Sequence, residues 1–167
     1  MKHLSLFVVA ACMAGSAQAD AVSDFVPIFN ACKTTFQGVR AGGVEADTPP
    51  HWIRKIATES RLKYDISQKY YSSPFIAVLT IDLTETFGTA ETEAAARQLV
   101  VGPDNRLRRD VVRMSYIYQD GLWKTTDAEI TTEIKRRREE PWSAPVTTRR
   151  TRDTLLRGQE PWIPCAR

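Results

Sequence analysis

The chain is poor in the residues that carry out chemistry. Its 167 residues include two histidines and three cysteines. It has no Gly-x-Ser-x-Gly and no His, Cys or carboxylate cluster at metal-ligand spacing. A nucleophilic triad needs a nucleophile, a base and an orienting group. A metal centre needs several donors at suitable spacing. Neither set is present, so no cofactor or metal is expected. The longest apolar run, Leu4 to Ala14, falls short of the roughly 20 residues that cross a bilayer as a helix. An excess of base is missing too, with 23 Lys and Arg against 20 Asp and Glu. That balance argues against bulk nucleic-acid binding.

The first nineteen residues have the three parts of an export signal. Met1-Lys2-His3 is a basic start, Leu4–Ala14 is apolar, and Ala17-Gln18-Ala19 is a small-x-small cleavage site before Asp20. A second route is written beside it. Val9-Ala10-Ala11-Cys12 resembles a bacterial lipobox, in which Cys12 would be lipidated and anchor the chain at the outer membrane. Cleavage after Ala19 fits the segment lengths better and predicts a periplasmic protein. It removes one Lys and no acid, leaving a formal charge of +2. Cys32 and Cys165 survive, and in an oxidising compartment they are expected to pair.

From Asp24 to Gly38 the spacing of Phe25, Phe29, Cys32 and Phe36 predicts a helix, with Pro27 in its first turn. Thr48-Pro49-Pro50 followed by Trp52, Ile53 and Ile56 reads as a second, short helix ending near Thr58. Arg61–Tyr71 alternates as a half-buried strand, and Phe75–Phe87 does so with more apolar residues, which places it centrally. Thr89–Leu99 returns to helical composition, capped by Thr89. Asp82, Glu85, Glu91 and Glu93 make one end of this hairpin acidic, as a solvated face or a partner site.

Arg106–Lys135 is a long hairpin around Asp120-Gly121. Its arms disagree in parity. Val112, Met114, Tyr116 and Tyr118 share one face of the first arm; Thr126, Ala128, Ile130 and Ile134 share one of the second. A two-residue turn would pair Tyr118 with Trp123 and Val112 with Glu129, so one extra residue is needed to align the apolar sets. A bulge is expected between Gly121 and Trp123, with Gly at positive φ. Residues 136–167 form an Arg- and Pro-rich arm. Pro141-Trp142 and Pro161-Trp162 read as extended pieces that dock a tryptophan, with a helical turn at Arg152–Arg157 ended by Gly158.

Two helices, a bent sheet and a last hairpin written Tyr118-Gln119-Asp120-Gly121-Leu122-Trp123-Lys124 resemble the nuclear-transport-factor-2-like, or cystatin-like, superfamily over residues 24–135. The resemblance implies a cone of one curved sheet around helices. It says little about chemistry, because the enzymes of that superfamily place Asp, His or Tyr groups inside the cone, where this chain has aliphatic and aromatic candidates. The expected fold is therefore α+β: N-terminal helices on a strongly bent four-stranded antiparallel sheet. Residues 20–135 form the cone-like domain, and the arm 136–167 is packed on it and tied back by Cys32–Cys165.

Two functional readings follow. In the first, the chain is a non-enzymatic periplasmic protein-binding protein, an inhibitor, an immunity-type protein or a secretion-system accessory. Its partner is another envelope or effector protein. The contact uses Lys135, Arg136, Arg137, Arg138, Trp142, Arg149, Arg150 and Arg152, since Arg and Trp carry much interface energy. The competing account of these charges is a guarded sheet edge. In the second reading, Phe25, Phe29, Tyr64, Tyr116 and Trp123 line a pocket for a small ligand or an enzymatic reaction, with His51 or Asp82 supplying polar chemistry. The composition is compatible with a monomer or a homodimer.

Overall fold

The computed structural model describes residues 10–39, 43–48, 50–102, 105–137, 139–157 and 162–166, except for the side chains of 10–18 and 37–39. A long helix, α1 (Ala10–Val39), is followed by β1 (Gly43–Ala46), β2 (Trp52–Ser67) and β3 (Ile76–Ala90). A short helix α2 (Glu93–Gln98) leads into β4 (Arg106–Gln119), β5 (Leu122–Lys135) and β6 (Val146–Thr151). The chain finishes with a helical turn α3 (Arg152–Leu156) and a 3-10 turn at Ile163–Cys165. The expected stop at Gly158 lies outside the described residues. The strands form one antiparallel sheet in the order β1-β2-β3-β4-β5-β6.

The α+β class and the disulfide stand, but the four-stranded sheet does not: six strands are present. Two sources supply the difference. The expected short helix at Trp52–Thr58 is instead the first half of β2. Its Trp52–Lys55 segment pairs with β1 on one side and with Phe87–Ala90 of β3 on the other. Neighbouring strands on both sides outweigh the weak local helical spacing, and β-branched Ile53 and Ile56 suit a pleated surface. The second source is the C-terminal arm, whose Val146–Thr151 pairs with Asp127–Thr132 as an edge strand.

One sheet face carries the core. Ala77, Leu79, Ile81 and Leu83 of β3 are fully buried beside Val112, Met114 and Tyr116 of β4. Ala128 and Ile130 extend this face across β5, and Ala21, Phe25, Cys32 and Phe36 of α1 cover it. The helical stripe is as its spacing predicts, but α1 begins earlier, so Pro27 lies inside the helix rather than in its first turn. There it leaves the Ser23 carbonyl without its helical donor. The small helix α2 is capped by Thr92, whose hydroxyl accepts from Ala95 N, and not by Thr89. It packs so closely on β3 that a Cβ at Gly88 would meet Leu99 Cδ2 at 2.6 Å.

The parity mismatch is resolved by a bulge, at a different place from the one expected. Asp120 (φ 56°) and Gly121 (φ 74°) form a tight two-residue turn, and Tyr118 does pair with Trp123. The extra residue is Thr126, opposite Ser115/Tyr116, after which Met114 meets Ala128 and Val112 meets Ile130. A second bulge at Thr58 does the same for β2 against β3.

Cys32 and Cys165 are bonded across 133 residues of sequence. The bond pins the C-terminal turn under α1, where Trp162 is buried and the Tyr116 hydroxyl donates to the Cys165 carbonyl at 2.8 Å. Reduction should lower the melting temperature by several degrees, because closing so long a loop is worth about 4 kcal/mol in the chain-entropy account. Thermal melts with and without reductant measure this directly, and an unchanged midpoint would contradict it.

Candidate functional site

The aromatic set proposed for a pocket is brought together as packed core. Phe25 touches Tyr64, Tyr116 and Trp123 at centroid distances of 5.2, 5.1 and 5.2 Å, and Phe29 reaches Tyr64 at 4.8 Å. The Trp123 indole N–H donates to the Ala21 carbonyl at 3.0 Å, so its polar edge is used in fixing α1. The polar members of that set lie elsewhere. His51 is exposed in the β1–β2 turn, where its backbone groups pair with Asp47 and Thr48. Asp82 sits on the opposite face of β3 from Leu79, Ile81 and Leu83, facing Arg109, with Nε 3.4 Å from Oδ1. Hydrogen bonding to Asp82 pushes the Arg109 guanidinium still further above its ordinary value.

The basic residues gather around the β5–β6 edge. Lys135 ends β5, with its ammonium 5.9 Å from the centre of the half-buried Trp142 ring. Ser143 holds the returning chain to the end of β5: its N–H donates to the Ile134 carbonyl at 2.8 Å, and its hydroxyl accepts from Ile134 N at 3.0 Å. Arg136 and Arg137 are exposed on the intervening turn, and Arg149 and Arg152 are exposed on and just after β6. Arg150 is half-buried opposite Ala128. Arg138 lies outside the described residues. Among the described residues, the Arg61, Arg97, Arg108 and Arg109 side chains are ion-paired, whereas Arg136, Arg137, Arg149 and Arg152 have no ion pair; elsewhere Arg54 donates to backbone carbonyls, Arg106 lies over the Phe87 ring, and Arg113 also has no ion pair. Arg149 remains without one even though Glu129 is its register partner.

A further constellation lies on the core face of the sheet, beyond Leu83. Glu85 and Asp110 are both buried there. Asp110 is paired: the Thr132 hydroxyl donates to Oδ1 at 2.6 Å, and Arg108 forms an ion pair with it, Nε lying 2.8 Å from Oδ2 without making a hydrogen bond. Lys55, ion-paired with Glu45, approaches from β2. Glu85 is 8% exposed, and its carboxylate has no hydrogen bond or ion pair among the described residues, although Arg108 is its register partner. Burial pushes its carboxyl above the ordinary 4.5; Lys55 and Arg108 pull it back in part. Sequence reading grouped Glu85 with Asp82 as one acidic end. Strand parity separates them. Glu85 falls on the same alternate positions as Leu79, Ile81 and Leu83, whereas Asp82 falls between them. Asp110 is likewise in phase with Val112 and Met114. That phase was the available clue.

No protein-family model, curated protein or solved structure matches the chain.

A buried acid whose folded pKa is raised makes the native state bind its proton more tightly than the unfolded chain does. Its contribution to stability is therefore fullest at low pH and is lost as pH rises from about 4.5 through the raised value. Glu85→Gln should accordingly melt higher than the parent at neutral pH and lose less stability between acid and neutral buffer. A lower melting point for the variant at neutral pH would mean that Lys55 and Arg108 hold the ionised form.

Proposed function

We propose that this chain is a non-enzymatic, exported protein-binding protein, of the inhibitor, immunity or secretion-accessory kind, acting through the surface around the β5–β6 edge. The observation that carries the proposal is the run of exposed arginines without an ion pair among the described residues: Arg136 and Arg137 on the turn that leads to the half-buried Trp142, and Arg149 and Arg152 further along β6. Unpaired arginine beside tryptophan suits the contact region of an interface. Kinship with nuclear-transport-factor-2-like domains belongs to the same proposal and rests on the Tyr118–Lys124 hairpin.

The Cys32–Cys165 bond is consistent with export to an oxidising compartment. Cleavage after Ala19 and release into the periplasm complete the proposed route. Mass spectrometry of the protein from cell envelopes should find Asp20 at the N-terminus; a diacylated Cys12 would instead make it an anchored lipoprotein.

The small-ligand or enzymatic reading draws support from a different place than the aromatic set. Glu85, buried and unpaired among the described residues, is the group that favours it. The two readings separate by experiment. Reversing Arg136 and Arg137 to glutamate should abolish capture of a partner from envelope extract and leave the melting temperature unchanged. Unimpaired capture would remove this surface from the function.

A further inference from the structure

The basic surface has a backbone component as well as side chains. β6 is the last strand on its side of the sheet, so one flank of Val146–Thr151 faces no further strand of the described chain. Among the described residues, the chain after β6 does not close that flank. α3 turns back toward β5 and buries Leu155 in the core. An edge strand presents a row of N–H and C=O groups able to accept another extended chain.

We infer that the β6 edge accepts an acidic, extended segment of a partner protein as a seventh strand. This rests on the protein-binding reading above and specifies what the same surface recognises. Charge selects the occupant. Arg149 projects on the face of Glu129 and Arg152 follows the strand directly, both exposed, so an added strand meets guanidinium groups along this edge. Among the described residues, neither Arg149 nor Arg152 forms an ion pair with Glu139, Glu140 or Asp153, which are close in sequence. A matching segment has carboxylates across from Arg149 and near Arg152, β-branched or hydroxyl residues across from Thr147 and Thr148, and an apolar residue near Val146, which is 62% exposed.

A second copy of this strand is a poor occupant. Antiparallel self-pairing about the strand centre, with the two sheet faces continuous, sets Arg149 opposite Arg149. Sliding by one register step leaves Arg149 diagonal to its equivalent or sets Arg150 opposite Arg150. Like charges in those positions repel. The arginines that discourage self-association thus also select for acid, which is how charge gives specificity at an interface.

The test uses the full chain and a short synthetic peptide with glutamates at the positions facing Arg149 and Arg152, and valine or threonine elsewhere. Binding should shift the amide resonances of Val146–Thr151 and protect them from exchange. N-methylating alternate peptide residues, in either phase, keeps the charge and removes donors from one flank. One of the two phases should bind about tenfold or more weakly, as expected for losing one or two backbone hydrogen bonds. R149E/R152E should lose binding altogether. Equal affinity of both methylated peptides, or no binding of the parent peptide, overturns strand addition. If R149E/R152E then still loses its envelope partner, the protein-binding reading survives without it. If the variant retains that partner, both fail. Retention of the chain by phosphatidylglycerol vesicles but not by the peptide would assign the arginines to a lipid surface and overturn the proposal.

Discussion

Long strands can bury one face only while their alternation stays in phase with their neighbours, and this constraint shapes the rest of the molecule. β2 and β5 each fall out of phase with their partner, and each is corrected by one extra residue, Thr58 and Thr126. The same chemistry serves both. The Thr58 hydroxyl donates to the Thr84 carbonyl at 3.2 Å, and the Thr126 hydroxyl donates to the Ser115 carbonyl at 3.2 Å. A bulge leaves ladder groups short of partners, and a hydroxyl at the extra residue supplies a donor where the ladder is interrupted. Because of these corrections, Thr125 and Trp123 point to the core before the Thr126 bulge, and Ala128 and Ile130 after it. Without the correction, α1 would have no continuous apolar face to lie on.

Much of this was legible in the residues. The stripe from Phe25 to Phe36, the alternation of β3 and the need for an extra residue in the last hairpin all follow from strong periodicity. What escaped was decided by partners distant in sequence. Trp52, Ile53 and Ile56 fit a helical spacing locally, but β3 extends far enough to give them a strand to pair with. Gly43–Ala46 is too short to show any period. Val146–Thr151 has threonine and arginine on both faces, so no alternation of apolar and polar residues announces an edge strand. Its β-branched content was the remaining hint. The bulge was misplaced because Asp120-Gly121 drew it to the turn, where positive φ at both residues already satisfied the tight connection.

The candidate site was legible in kind more than in place. The arginines after Lys135 stood out by density, and the structure spreads them along one turn and the edge strand β6. The buried carboxylates did not stand out, since acidic residues in an alternating run are most simply read as solvent-facing. Glu85 and Asp110 share the core face with leucine and valine; Thr132 reaches Asp110 from β5 and Arg108 pairs with it from its own strand, while Lys55 and Arg108 act on Glu85 through charge alone. No local pattern reports that meeting.

The bond between Cys32 and Cys165 also sets how the molecule carries load. The whole sheet lies within the chain that it closes. A pull applied upstream of Cys32 and downstream of Cys165 travels through the helix, across the two sulfur atoms and out through the C-terminal turn. The strands bear none of it. A protein built this way can be tethered or threaded at either end without its sheet being unzipped, and a single cut anywhere between the two cysteines leaves its pieces covalently joined.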